Sequence, residues 1–218
     1  MSILDALNVD RRNSGRASGV AAGIVTNNQD PDGLGRIKVR FPWLSDSNET
    51  DWIRMTTVMA GSGRGAFFLP EVGDEVLVAF EHGDLNRPFA IGALWNGVDT
   101  PPETNSDGSN NIRKIRSRSG HEIIFNDNNT AMQEKIEIHT NAGHTITLDD
   151  SSGQEKIEIV DKTGSNKITM DSVQNSIGIE SAMELKIKSQ IIEIEAGATM
   201  TIKSGATLTI QGAIVKIN

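Results

Sequence analysis

The four histidines of the chain, His82, His121, His139 and His144, are the side chains best suited to proton transfer or metal binding near neutral pH. His139 and His144 flank the short segment HTNAGH and could approach one ion in an assembly. No cysteine and no carboxylate cluster accompanies them, and two neutral ligands make a weak zinc site. A histidine at a strand end more often forms a surface hydrogen bond. We therefore expect no metal site and no cofactor.

Motifs for covalent or phosphate chemistry are also missing from the sequence. It contains no Gly-x-Ser-x-Gly, no His-Glu-x-x-His and no phosphate-binding glycine loop. The glycine-rich run GSGRG (61–65) follows no strand–helix unit, so it predicts a tight loop between strands. Adjacent carboxylates such as Asp149 and Asp150 fall in turn-like sequence, where solvated acids are expected. We predict that the chain is not an enzyme and that it has no catalytic residues.

The charge balance argues against a nucleic-acid-coating protein. The 218 residues include 21 Lys and Arg against 29 Asp and Glu, a formal charge of -8, and phosphate contacts need a basic field. The sequence nevertheless offers one candidate groove for single strands, formed by Arg36, Lys38, Arg40, Trp43 and Trp52. We expect no nucleic acid, and interpret these cations as a solvated strand face. A nucleic-acid or ligand binding module with an oligomerising tail remains the alternative function, and a salt-dependent binding assay separates the two.

Neither a membrane span nor a secretory signal is predicted. No apolar run approaches the ~18 residues that cross a bilayer. The first twenty residues carry Asp5, Asp10, Arg11 and Arg12 where a signal peptide has its apolar centre.

Composition divides the chain into two all-β units. Eight of the nine aromatic residues precede residue 100, whereas isoleucine dominates after residue 110. The segment between them, NGVDTPPETNSDGSNN, is rich in loop-forming residues. We predict the following organisation: an N-terminal tail (1–18), a collar domain (19–97), a linker (98–114) and a needle-like repeat domain (115–218).

The first unit has the pattern of a small antiparallel barrel. Five segments resemble strands, and turn sequences such as DPDG (30–33) separate them. Residues 36–41 alternate strictly between cationic and apolar side chains, which is typical of a strand with one buried face. Five short strands predict an OB-fold barrel. The predicted strands are 20–27, 34–43, 51–59, 74–81 and 87–95.

The second unit is a series of short apolar-x-apolar strands whose spacing falls from 13 residues to about eight. Each strand offers only two or three inward apolar residues, so one chain has no second layer to cover them, and its strand edges stay unpaired. Three chains winding together solve both problems, with one strand per chain at each level. We predict an intertwined triple-stranded β-helix, a homotrimer, whose core residues are Ile136, Ile138, Ile146, Leu148, Ile157, Ile159, Ile168, Met170, Ile177, Ile179, Leu185, Ile187, Ile192, Ile194, Met200, Ile202, Leu208 and Ile210.

Two other readings of the second unit are weaker. A monomeric sandwich also has turns every 8–12 residues, but this unit has no Trp, no Tyr and one Phe to fill such a core. A glycosidase built on a β-solenoid would need a carboxylate pair on one face of the rod, and the sequence does not locate one.

Four segments of the chain closely resemble the central spike proteins of contractile injection machines, that is, the VgrG proteins of type VI secretion and the baseplate V proteins of contractile phages. The resemblance covers about residues 20–170. It rests on GRIKVRFPWL (35–44), GRGAFFLPEVGDEVLVAFEHGDLNRPFAIGALWNG (63–97), IRSRSGHEIIFND (115–127) and GHTITLDD (143–150). It implies a trimeric spike, with an OB-fold collar and a triple-stranded β-helix that pierces the target membrane.

The resemblance also implies partners. VgrG proteins usually begin with a large hub domain that this sequence lacks, so we expect a separate hub protein above the collar. Some phage spikes bind iron through His-x-His motifs at the tip, but no histidine follows His144 here. We expect a PAAR-type tip protein to bind the C-terminal residues Ile214, Val215, Ile217 and Asn218. We also expect assembly in the cytoplasm into a tail or injection particle, and transient contact with the target membrane on contraction.

Overall fold

The computed structural model describes residues 19–44 and 48–217. The predicted tail (1–18) and the predicted tip residue Asn218 lie outside the described residues. The chain divides into two compact units, Met1–Asn110 and Asn111–Asn218, and each is described by itself. Throughout the two described stretches, no helix is long and apolar enough to cross a bilayer.

The first unit is built around a five-stranded sheet with the order β2-β1-β6-β7-β3. The sheet is antiparallel except for the parallel pair β3–β7, and a separate two-stranded hairpin joins β4 to β5. A 3-10 turn, Glu81–Gly83, precedes β7. The strands are β1 (Val20–Asn27), β2 (Lys38–Arg40), β3 (Arg54–Met55), β4 (Ala60–Gly61), β5 (Arg64–Gly65), β6 (Glu75–Phe80) and β7 (Pro88–Ala93).

Each of the five predicted strand segments contains a strand, although the second and third are much shorter than predicted. The second loses its beginning because the Asp30 carboxylate organises the preceding turn. That carboxylate accepts hydrogen bonds from the backbone N–H groups of Asp32, Leu34 and Arg36, at 3.0–3.2 Å. It also accepts two bonds from the Arg36 guanidinium, at 2.9 and 2.7 Å. The Arg36 guanidinium, together with these backbone donors, holds the pKa of the Asp30 carboxyl well below its usual range.

The core of this unit lies on one side of the alternating strands. Residues such as Val76, Val78 and Phe80 are buried at every second position of β6, as the period of two requires. Gly23 in β1 is needed for close packing, because a Cβ there would lie 2.4 Å from Val39. The buried core residues are Val25, Ile37, Val39, Phe41, Ile53, Val76, Val78, Phe80 and Ala90.

The second unit is a single seven-stranded sheet in which consecutive strands are neighbours, from β8 to β14. All six pairings are antiparallel and all lie within the chain. The strands are β8 (Ile112–Arg116), β9 (Glu122–Asn126), β10 (Lys135–His139), β11 (Thr145–Asp149), β12 (Lys156–Val160), β13 (Lys167–Asp171) and β14 (Ser176–Glu180).

The pairing corrects one sequence-based prediction. The expectation that neighbouring strands come from different chains is wrong for β8–β14, which pair with each other. The physical reason is turn chemistry: glycines with positive φ at 120, 143 and 164 allow tight reversals between successive strands. Beyond β14, residues 181–217 carry no assigned strand.

Candidate functional site

The apolar face of the C-terminal sheet is the most unusual surface of the described chain. Cross-strand register places its side chains in two columns, since each apolar residue lies opposite an apolar residue of the next strand. The first column contains Phe125, Ile136, Leu148, Ile157, Met170 and Ile177. The second consists of isoleucines alone, namely Ile115, Ile123, Ile138, Ile146, Ile159, Ile168 and Ile179.

This face is not covered by the chain itself. On strands β9–β13 its side chains are 37–45% exposed, and on β14 Ile177 is 72% exposed. A groove of about 670 Å³ runs along the isoleucine column from Ile138 to Ile179 and Leu185. Contiguous apolar surface on this scale marks an interaction site in a soluble protein.

The opposite face of the same sheet is polar and largely satisfied by its own ion pairs. Cations and anions alternate along one column of this face. Successive strands place Lys135 opposite Asp149, Asp149 opposite Lys156, and Lys156 opposite Asp171. Burial raises the pKa of Asp149, but hydrogen bonds from Ser151 and the charges of Lys135 and Lys156 outweigh it and hold that pKa below its usual value. A slip of one residue in the strand pairing would turn the side chains of a strand to the opposite face of the sheet and would end the alternation of cations and anions. The alternating charges therefore fix the register and keep the apolar columns on one face.

Three side chains tie successive turns together along one edge of the sheet. The backbone N–H of Asn141 donates to His121 Nδ1, and that of Lys162 donates to His144 Nδ1, both at 3.2 Å. In the next turn the N–H of Ala182 donates to Asn166 Oδ1, also at 3.2 Å. Each of these acceptors follows a turn glycine closely. The two histidines are therefore hydrogen-bond acceptors that hold a turn, as histidines at strand ends often are.

Replacing His144 by Leu is expected to loosen the turn at residues 161–166, whereas His144→Asn is expected to preserve it. Asn166 shows that an asparagine oxygen accepts the equivalent bond, while Leu has no acceptor. A lost hydrogen bond of this kind costs about 0.5–1.5 kcal/mol, which corresponds to amide exchange about 2- to 12-fold faster in that turn. Hydrogen–deuterium exchange checks this, and equal exchange in the two variants would show that the imidazole contributes nothing.

The candidate nucleic-acid groove of the barrel has different partners. Arg36 forms ion pairs with Asp30 and Asp32. Lys38 binds Glu49 at 2.9 Å and lies over the ring of Trp52, 5.4 Å from its centroid. Arg40 also has an interaction partner. Arg36 and Lys38 are therefore paired with acidic groups of the barrel itself.

The histidines, which are the side chains best suited to proton transfer or metal binding, do not form a shared site with carboxylates. Among the residues that the structure describes, no three His, Asp or Glu side chains are close enough to hold a metal ion. His139 Nε2 lies 3.6 Å from a Glu137 carboxylate oxygen on the polar face but is buried without a hydrogen-bond partner among the described residues. His144 lies beside a turn and accepts a hydrogen bond from the N–H of Lys162.

Comparison with known proteins identifies the first unit. Residues 21–95 match the family of the type VI secretion system/phage-baseplate injector OB domain. The resemblance to VgrG and baseplate V proteins drawn from the sequence is thereby confirmed.

Curated proteins similar to this chain include type VI secretion spike proteins. The type VI secretion system spike protein VgrG1a of Pseudomonas aeruginosa is 33% identical over 131 residues, 55% of this chain and 20% of the relative. VgrG3 of Vibrio cholerae serotype O1, also a type VI spike protein, is 34% identical over 116 residues, 50% of this chain and 11% of the relative. The actin cross-linking toxin VgrG1 of V. cholerae is 33% identical over 116 residues, 50% of this chain and 10% of the relative. The chain spans between a tenth and a fifth of the length of these relatives.

The predicted core residues occupy two different settings in the second unit. The first ten, Ile136 to Ile179, lie in the two apolar columns. The last eight, Leu185 to Ile210, lie in the extended stretch after β14, where their side chains are 47–72% exposed. The predicted tip residues Ile214, Val215 and Ile217 are exposed as well. The role of these residues in a trimer stays a prediction.

Sequence reasoning left three members of the columns out of the predicted core, namely Ile115, Ile123 and Phe125. Ile123 and Phe125 carry the same apolar-x-apolar signal as the later repeats. Ile115 is less evident, because the other apolar-face position of β8 is Arg113, which pairs with Asp127. The sequence predicted surface hydrogen bonding for histidines at strand ends, and the repeated Gly-His pairs at 120–121 and 143–144 mark the two that hold turns.

Proposed function

We propose that this protein is the structural spike of a contractile injection machine. The observation that carries the proposal is the combination, in one chain, of an injector OB domain and a sheet with an uncovered apolar face. The relatives named as type VI spike proteins support it, since the alignment with VgrG1a covers 55% of this chain. In this account the activity is mechanical, and neither catalysis nor a cofactor is involved.

The apolar columns support assembly as a homotrimer. Full burial of an exposed side chain of this size contributes roughly 1.5–3 kcal/mol. The ten side chains on β9–β13 are 37–45% exposed, so covering each of them contributes only part of that, and the face holds thirteen such side chains in all. Three copies arranged around a three-fold axis bring three such faces together and leave the charged faces in solvent. The eight-residue repeats after β14 suit the same symmetry, since each repeat supplies one side of a triangular layer. With strands about 4.8 Å apart, the eleven apolar-x-apolar segments between residues 123 and 217 would give a shaft of roughly 50 Å.

The injector OB domain is proposed to be the collar, where the spike joins the rest of the machine. In this position it would bind a separate hub protein at the end of a tail tube. The shaft would transmit the force of contraction to its tip, and only then contact the target membrane. Assembly of the particle would take place in the cytoplasm, before delivery outward.

The C-terminal residues are proposed to seat a PAAR-type tip protein. Ile214 and Ile217 are 79% and 88% exposed, so three copies would present an apolar triangle at the end of the shaft. Asn218, which lies outside the described residues, is included in this proposed surface.

Removing residues 214–218 is expected to abolish capture of the tip protein while the shaft still assembles. The truncation takes away the apolar seat but leaves the earlier repeats intact. The measurement is a pull-down of a purified PAAR-type protein with the tagged full-length chain and with the truncated chain. Lys216→Ala is the matched control, since Lys216 alternates with Val215 and Ile217 in sequence and would lie on the opposite face of the proposed strand. Equal recovery by the full-length and truncated chains would contradict the proposal.

A further inference from the structure

The segment that follows β7 contains the only Asn-Gly pair of the sequence, Asn96 and Gly97, and the asparagine side chain is held at both ends. Its Oδ1 accepts hydrogen bonds from the backbone N–H groups of Val98, at 2.8 Å, and Asp99, at 2.7 Å. Its Nδ2 donates to a carboxylate oxygen of Glu75 in β6, at 2.8 Å, and lies 3.4 Å from a carboxylate oxygen of Asp99. The amide group is therefore fixed between two backbone donors and two acids.

The hydrogen bond from Val98 brings together the two atoms of a possible ring closure. It closes a small ring of atoms that contains both the side-chain carbonyl carbon of Asn96, Cγ, and the Gly97 nitrogen. Few conformations of the side chain keep this ring closed, so the carbon stays close to the nitrogen that can attack it. Gly97 is exposed, and a Cβ at that position would meet open space. As a glycine it has no side chain that could crowd the attack.

The surroundings of the amide match the charges that such an attack develops. Attack of the nitrogen on Cγ places negative charge on Oδ1, where the two backbone N–H groups already donate, as the donors of an oxyanion hole do. The departing Nδ2 gains positive charge as it takes up a proton, and it faces the carboxylates of Glu75 and Asp99. Hydrogen bonds to ionised groups are about twice as strong as neutral ones. Both ends of the amide are therefore stabilised more in the reacting state than in the resting state.

We propose that Asn96 is a site of spontaneous deamidation that the fold itself promotes. The Gly97 nitrogen bonds to Asn96 Cγ, the Cγ–Nδ2 bond breaks, and ammonia leaves with the proton that Gly97 gives up, so that a cyclic succinimide forms. One water molecule then opens the succinimide at either of its carbonyl groups. The products are aspartate and isoaspartate at residue 96, and the reaction consumes nothing but water.

The modification weakens the attachment of the end of β7 to β6. Glu75 accepts the amide of Asn96 with its side chain, and its backbone oxygen accepts a hydrogen bond from the N–H of Leu94, at 2.9 Å. An aspartate at residue 96 replaces the amide donor by a second carboxylate facing Glu75, and like charges at this distance repel. Isoaspartate also adds one carbon to the backbone and moves the donors of Val98 and Asp99. The last strand of the barrel therefore loosens as the protein ages, whatever the number of copies that assemble.

The experiment follows residue 96 in the purified full-length chain during long incubation at physiological temperature and mildly alkaline pH. Peptide mapping by mass spectrometry measures the exchange of ammonia for water at this residue and separates aspartate from isoaspartate. We expect Asn96 to react faster in the folded chain than in the same chain held in denaturant, where the Asn-Gly pair persists but the donors to Oδ1 are lost. A folded chain that reacts at the denatured rate, or more slowly, would overturn the inference.

Variants separate the Asn-Gly pair from its surroundings. Gly97→Ala crowds the attacking nitrogen and is expected to slow deamidation at least about tenfold, a barrier increase of about 1.4 kcal/mol. Glu75→Gln keeps an oxygen that accepts the Nδ2 bond but removes the charge, and it is also expected to slow the reaction. Glu81→Gln, just beyond the opposite end of β6, is the matched control and is expected to leave the rate unchanged. A Glu75→Gln variant that reacts at the wild-type rate would show that the carboxylate does not promote the reaction.

The Asn96→Asp variant imitates the product and tests its consequence. Amide exchange at Leu94 and Asp99 is expected to be at least about tenfold faster than in the wild type, as the loss of a hydrogen bond to a charged group gives. Adding Glu75→Gln supplies an amide donor for the new carboxylate and is expected to restore slow exchange. Hydrogen–deuterium exchange measures both variants. Unchanged exchange in Asn96→Asp, or no recovery in the double variant, would contradict the loosening of β7.

Discussion

The Ile168→Lys variant is expected to lose trimer formation entirely, while Thr169→Lys keeps it. The two residues are neighbours on β13 and point to opposite faces of the sheet. In the proposed trimer Ile168 is buried against two other copies, and a Lys there takes an unpaired charge out of water three times, at an effective penalty of several kcal/mol per ion. Thr169 lies opposite Glu158, so a Lys at that position gains an anionic neighbour instead.

Native mass spectrometry of the two variants separates an assembly surface from an ordinary exposed face. Ile168 is 39% exposed in the single chain. If the chain worked as a monomer, the two substitutions would have similar, small effects on its mass and solubility. An Ile168→Lys variant that still formed the wild-type assembly would mean that the apolar columns face solvent in the working protein.

The Ile202→Asp variant is expected to abolish trimer formation through the other part of the shaft. Ile202 lies in the stretch that has no strand partner within its own chain, so contacts with other copies are all that can hold it. One substitution buries three carboxylates around the three-fold axis, where they repel one another and lack partners. The loss of three isoleucines adds roughly 1.5–3 kcal/mol for each copy.

Thr201→Asp is the matched control for Ile202→Asp. Thr201 precedes Ile202 and would lie on the opposite face of the proposed strand, so an Asp carboxylate there would be solvated and the trimer should persist. Size-exclusion chromatography with light scattering measures the outcome. An intact trimer of Ile202→Asp would mean that the apolar stripe of the last repeats points away from the axis.

The barrel was largely predictable from sequence because its signals are local. Strict alternation at 36–41 and the turn DPDG (30–33) place the second strand and its inward residues, of which Ile37, Val39 and Phe41 are buried. What the sequence did not predict is how the aromatics are distributed. Phe41 and Phe80 are in the core, whereas Phe67 and Phe68 are 78% and 67% exposed. Alternation identifies the faces of regular strands, but it says little about a loop such as the one that carries these two phenylalanines.

The periodicity of the sequence does not predict how the strands of the second unit pair. An apolar-x-apolar pattern fixes which side chains share a face, and the two columns follow it. It does not determine whether the next strand belongs to the same chain or to another. The deciding features are the turns, where Gly120, Gly143 and Gly164 allow reversal, while the later bends at 197–198 and 205–206 contain glycines without positive φ. Spacing alone hints at this change, since the repeat shortens to about eight residues after β14.

The most direct test of the whole account is the mass of the unmodified full-length chain in native solution at dilute concentration. The account predicts one species near 70 kDa, three copies of the 23.5 kDa chain, because thirteen apolar side chains of the sheet and the unpaired stretch after it need two further copies to cover them. A stable, folded species of 23.5 kDa, or a dimer, would contradict it.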